Sequence, residues 1–95
     1  MATNIYFTKG VHERAYTDPD FMAFVLGSMD KFADHDWGDL CKEDCAVNEE
    51  ALKFGDRLLG TYTFEEDGTK IWIIADAEDE ETHNRTVTVL FPKEY

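Results

Sequence analysis

The chain has 95 residues, with 21 Asp and Glu against 9 Lys and Arg, a formal charge of −12, yet 43% of it is hydrophobic and 14% aromatic. That apolar content excludes an acidic disordered segment, which buries too little to offset its ordering entropy, and the length allows one domain, residues 1–95, with one core. A dense negative field repels nucleic acid and anionic membranes and attracts basic surfaces, so the expected partner is a basic protein.

Asn4-Ile5-Tyr6-Phe7-Thr8 is rich in aromatic and β-branched residues and is stopped by Lys9-Gly10, which predicts a short strand. Thr17-Asp18-Pro19-Asp20 then supplies a cap, a Pro for the first helical position and an acid for the first turn. Phe21, Phe24, Val25, Leu26, Met29 and Phe32 follow at helical spacing and build one apolar stripe that ends by Asp34. Trp37-Gly38-Asp39 reads as a connector, with Gly38 free to take a positive φ.

A second helix is predicted from about Cys41 to Phe54, with Gly55 as its stop. It carries Cys41, Cys45, Asn48, Ala51 and Leu52 near one face. That face is weakly apolar, so the helix should pack over the edge of the core. Leu58 to Phe64 alternates as a strand, and Glu66-Asp67-Gly68-Thr69 gives a hairpin signal. Lys70 to Asp76 and Thr86 to Phe91 supply two further strands, the last ended by Pro92. The assembly expected is α+β: two helices on one face of a mostly antiparallel four-stranded sheet, in chain order β-α-α-β-β-β.

The charge is patterned. Residues 30 to 56 hold nine acids against three lysines, a balance of −6, and residues 65 to 81 hold eight acids against Lys70, a balance of −7. Helical acids three or four residues apart have Cβ atoms about 5–6 Å apart. That compares with successive phosphates of one duplex strand, which advance about 3.4 Å along the axis while turning around it. A carboxylate row can therefore imitate a phosphate row to Arg forks. The bland alternative is a solvated acidic face that serves solubility alone.

Catalytic and metal readings are weak. A calcium loop started at Asp34 has Asp39 where the Gly belongs and Cys45 where the bidentate acid belongs. Cys41 and Cys45 with His35 or His83 could in principle ligate zinc, but two small thiols in a reducing compartment are the simpler reading. His12, His35 and His83 lie among acids, and the only serine, Ser28, is inside the first helix, so no triad assembles. The triplet Asn84-Arg85-Thr86 matches a glycosylation acceptor, but no secretion signal accompanies it. No cofactor or metal is expected. With no leader pattern and no apolar run of roughly 20 residues, the chain is expected to be cytoplasmic. Trp72 reads as a sheet residue, whereas Trp37, in a loop between acidic stretches, suits either a core plug or an aromatic anchor for a partner.

Asp36-Trp37-Gly38-Asp39-Leu40-Cys41, with Glu43-Asp44 and Asn48-Glu49 after it, then Leu58-Leu59-Gly60-Thr61-Tyr62, Lys70-Ile71-Trp72-Ile73-Ile74 and Val87-Thr88-Val89-Leu90-Phe91-Pro92, resembles a family of small proteins carried on plasmids and phages. The chain is also similar to small acidic anti-CRISPR proteins directed at type I surveillance complexes, with the I-C subtype nearest. The resemblance covers most of the chain, and its most specific part is the Asp-Trp-Gly-Asp-Leu block. It implies a non-enzymatic α+β inhibitor that occupies the basic DNA-binding surface of a Cas effector complex of the Cascade type. Partner contacts are assigned from the charge map to Asp34, Asp36, Trp37, Asp39, Glu43, Asp44, Glu49, Glu50, Asp76, Glu78, Asp79, Glu80 and Glu81. A monomer is expected in preference to a dimer. The other readings are an antirestriction inhibitor of another nuclease, a structural or regulatory acidic module, and a small metalloenzyme.

Overall fold

The computed structural model describes residues 3–95. Strand β1 (Thr3–Phe7) leads into helices α1 (Lys9–Thr17), α2 (Pro19–Ala33) and α3 (Lys42–Phe54), followed by strands β2 (Leu58–Phe64), β3 (Thr69–Ala75) and β4 (Arg85–Leu90) and a short 3-10 turn, Pro92–Glu94. The α+β class holds, but the described residues form three α-helices where two were expected. The four-stranded sheet runs β1-β4-β3-β2. β2, β3 and β4 form an antiparallel meander, while β1 adds to β4 in parallel, Thr3 beside Arg85 and Phe7 beside Val89, so the sheet is mixed.

The unexpected helix is α1. Its buried stripe is only Val11 and Ala15, too narrow to register as an amphipathic period. Gly10, which reads as a strand stop, sits inside its first turn because the chain's far end packs there. A Cβ on Gly10 would come 2.8 Å from Glu94 Oε2. The Glu94 carboxylate accepts hydrogen bonds from Thr8 Oγ1 at 2.6 Å, from Gly10 N–H at 3.1 Å and from Phe91 N–H at 3.0 Å. Negative charge at a helix N-terminus is favoured by the dipole. Desolvation pushes the Glu94 carboxyl up, but the bonds from Thr8, Phe91 and Gly10 outweigh it and leave its pKa below the usual range.

Arg14 fastens the other end of α1. Its guanidinium donates to Thr69 Oγ1 at 2.7 Å and to Asp67 Oδ2 at 2.5 Å, and it lies 4.4 Å from the centre of the Phe21 ring. Helix α2 begins as its sequence requires: the Asp18 carboxylate accepts from Phe21 N–H at 3.1 Å, and Pro19 follows. Its inner stripe, Phe21, Val25, Ser28 and Phe32, packs on the sheet face built by Leu58, Tyr62, Phe64, Ile71, Ile73 and Val89. Removing an aliphatic or aromatic side chain of this size from water stabilises by about 1.5–3 kcal/mol. Trp72 is half-buried on the opposite sheet face, its ring meeting Tyr95 edge-on at 5.6 Å.

Candidate protein-interaction surface

After α2 the chain reverses through His35, which takes a positive φ of 63°. The Asp36 carboxylate then accepts from Gly38 N–H at 3.1 Å, an Asx turn that aims Trp37 inwards. Trp37 is only 4% exposed, so the reading of it as a partner anchor is corrected: it is a core plug. Its ring lies edge-on to Phe32 at 5.3 Å and stacks on His35 at 5.5 Å, and its indole N–H donates to Glu49 Oε1 at 3.2 Å.

The burial follows from how the loop meets β2. Thr61 N–H donates to Trp37 O at 3.1 Å, Asp39 N–H to Thr61 O at 2.8 Å, and Thr63 Oγ1 to Asp39 Oδ2 at 2.7 Å. The Trp37–Asp39 segment thus behaves as one more short rung on the outer edge of β2. Tyr62 contributes its hydroxyl to Asp36 O at 2.8 Å, and burial, with the Asp36 charge, raises its pKa.

Helix α3 continues the same cover. Buried Asn48 donates from Nδ2 to Leu59 O at 2.6 Å and accepts from Leu59 N–H at 3.2 Å, so one amide satisfies both backbone groups that a neighbouring strand would otherwise take. Ala51 is buried, and Gly55 closes the helix with φ 69°. Cys41 does not share the inner face: it is the exposed residue before the first turn. The Asp44 backbone N–H favours its thiolate. Hydrogen bonds involving the Asp44 and Glu43 carboxylates, desolvation and the Asp44 charge oppose that and leave the thiol's pKa raised. Cys45 is half-buried with Sγ 3.5 Å from Leu40 O.

The outer side of α3 mixes charge with apolar surface. Glu43, Val47, Glu50 and Phe54 recur at spacings of four, three and four and so lie along one stripe. Val47 is 64% and Phe54 71% exposed. Both stand clear of the core, as Trp37 does not. The four-three-four spacing of this stripe, to one side of the face that carries Asn48, was its signal in the sequence.

The second acidic block, Asp76 to Glu81, is an ordered loop. Asp76 N–H reaches Thr86 O at 2.8 Å, and Asp79 N–H reaches Asn84 O at 2.9 Å. The Asp79 carboxylate accepts from Glu81 N–H at 2.8 Å and Thr82 N–H at 3.1 Å. The backbone donors of Thr82 and Glu81 hold its carboxyl below the usual range. Glu78 turns back: its N–H donates to Gly55 O at 2.8 Å, and its carboxylate pairs with Arg85 at 3.5 Å. Arg85 also donates to Asp56 O at 3.2 Å.

The two acidic blocks therefore join at Gly55–Glu78, where the end of α3 meets the loop. Asp34, Glu43, Asp44, Glu50, Asp76, Glu80 and Glu81 are exposed, and exposed Asp56 joins them at the junction. Asp36, Asp39, Glu49 and Asp79 are exposed too, but they and the half-buried Glu78 also bind internal donors or Arg85 through their carboxylates. Among the described residues no group of three or more His, Cys, Asp or Glu could hold a metal ion, and no helix is long and apolar enough to cross a membrane. Compared with protein-family models, with curated proteins and with solved structures, the chain finds no match.

Proposed function

We propose that the chain is a non-enzymatic inhibitor that acts by occupying the basic DNA-binding surface of a bacterial type I CRISPR-Cas surveillance complex in the host cytoplasm. One observation carries this reading: the acidic outer side of α3 and the acidic β3–β4 loop are tied together by the bond from Glu78 N–H to Gly55 O. A receiver groove lined with Lys and Arg would meet both blocks as one carboxylate surface, with bidentate Arg–carboxylate pairs replacing Arg–phosphate pairs. Val47 and Phe54, exposed between Glu43 and Glu50 and beyond, would add the desolvated anchors on which protein interfaces depend. The choice of a type I effector as receiver comes from the resemblance of the Asp36–Leu40 block and the strand segments after it.

The test is a mobility shift of target duplex on a purified I-C complex, with this protein added at low and at high salt. The expected result is loss of DNA binding, with the inhibitor's own affinity weakening as salt rises, because screened charges attract less. A variant with Glu43, Glu50, Glu80 and Glu81 changed to Lys should fold normally, since exposed charges contribute little to stability, and should leave DNA binding intact. Glu49 is left unchanged because it holds the Trp37 indole. A ternary complex of effector, duplex and inhibitor, or an affinity indifferent to salt, would sink the proposal.

A further inference from the structure

Helix α2 covers one face of the sheet. On the other face Leu59 lies directly across from Ile74, and Trp72 comes two residues before Ile74 on the same strand, so the three side chains share one apolar surface. Val47 of α3 and Leu40 just before that helix stand alongside, and Tyr95 adds a further wall, its ring edge-on to Trp72 at 5.6 Å. Together they enclose a cleft of about 390 Å³, within the range of roughly 300–1,000 Å³ that small-molecule sites occupy. The one cation among its lining residues is Arg57. Its guanidinium lies 5.3 Å from the centre of the Tyr95 ring and donates to Tyr95 Oη at 2.9 Å. Of the three arginines, Arg14 pairs with Asp18 and Asp67, and Arg85 with Glu78. Arg57 forms no ion pair among the described residues, although the chain holds 21 acids. A guanidinium carries five N–H donors in a planar fork, so donors remain for a carboxylate after the Tyr95 hydroxyl is served.

We infer that this cleft binds a small aromatic monocarboxylate, with the carboxylate on the Arg57 fork and the ring against Trp72, over Leu59 and Ile74. The lining selects that occupant. Its aromatic and aliphatic walls favour a flat apolar body, and the guanidinium without a carboxylate partner favours an anion. Asp44 limits the anion to one charge. It lines the cleft from the first turn of α3, whereas Arg57 follows the last turn, so the two charges mark opposite ends. A second anionic group on the ligand would meet Asp44 and be repelled. The site takes an anion, and so goes beyond the preference of the acidic surface for a basic receiver.

An NMR titration that follows the two indole N–H signals tests this. Trp72 lines the cleft, while Trp37 is buried and bonded to Glu49 and so serves as the internal reference. Phenylpropanoate should shift the Trp72 signal saturably, at about tenfold lower concentration than its neutral amide, phenylpropanamide. Arg57→Gln should erase that preference, so that acid and amide bind alike. Arg57 is exposed and its one side-chain hydrogen bond goes to Tyr95, so the fold should persist. Should that variant fail to fold, Val47→Trp, a change at an exposed position of α3 that fills the cleft, should abolish the Trp72 shift. No saturable shift at Trp72, equal binding of acid and amide by the unmodified chain, a preference that survives Arg57→Gln, a Trp72 shift that survives Val47→Trp, or a shift at Trp37 as large as that at Trp72 overturns the inference.

Discussion

Replacing Gly38 by Ala should be far more damaging than its size suggests. Gly38 has φ 72°, and an added Cβ would stand 2.0 Å from Thr61 O and 2.7 Å from Tyr62 Cδ1. The first obstacle is a backbone carbonyl inside the sheet, so it cannot swing aside as a flexible side chain could. The left-handed conformation costs Ala roughly 1–2 kcal/mol. Moving the loop away also breaks the hydrogen bonds from Thr61 N–H to Trp37 O and from Asp39 N–H to Thr61 O, each worth about 0.5–1.5 kcal/mol. The sum is about 2–5 kcal/mol, a Tm loss on the order of 10–30 °C for a domain of this size. Gly68→Ala is the internal control: φ is 76°, but nothing lies within 4 Å of the added Cβ, so only the conformational cost of roughly 1–2 kcal/mol applies. Thermal melts and urea titrations followed by circular dichroism measure both variants. Equal losses for the two would refute the claim that the loop is held against β2 at Gly38.

Gly27 lies exposed within α2 with nothing within 4 Å of an added Cβ, so Gly27→Ala should raise stability by about 0.5–1 kcal/mol in a urea titration, and a loss there would mean the helix packs more closely than described. Asp67, hydrogen-bonded by Thr69 and paired with Arg14, titrates at about 2 instead of 3.8. A depressed folded-state value stabilises above the unfolded pKa, and the contribution disappears as pH falls from about 3.8 through about 2. Asp67→Asn should therefore flatten the loss of Tm across that window, and an unchanged slope would count against the pairing. The raised pKa of Cys41 should make its alkylation slow at mildly alkaline pH in a Cys45→Ala background, and Asp44→Asn should speed it; no change in rate would remove the Asp44 carboxylate as the cause.

Local chemistry made much of the fold readable. Period-two alternation marked β2, β3 and β4 to within a residue, Asp18-Pro19 marked the start of α2, and Gly55 marked the end of α3. What stayed hidden depends on groups distant in sequence. α1 tolerates Gly10 because Glu94 occupies the space and caps the helix. The parallel direction of β1 is set by β4 and has no local signature. At the site, the acidic density was plain, but which carboxylates stay free was not. Glu49 is claimed by Trp37, Asp39 by Thr63 and Glu78 by Arg85, all partners that only the folded chain brings near.

The pairing of β1 with β4 also orders events during synthesis. Strand β1 is made before β4, yet among the described residues its one neighbour in the sheet is that last strand. At about 5–20 residues per second, roughly 4–16 s separate the two. The β2–β3 hairpin and helices α2 and α3 can associate in that interval, because their contacts are nearer in sequence. β1 must wait, open on both sides, until Arg85–Leu90 arrives. Sheet closure is thus a late event, and until it happens the uncharged Thr3–Phe7 segment is left without the strand it pairs with.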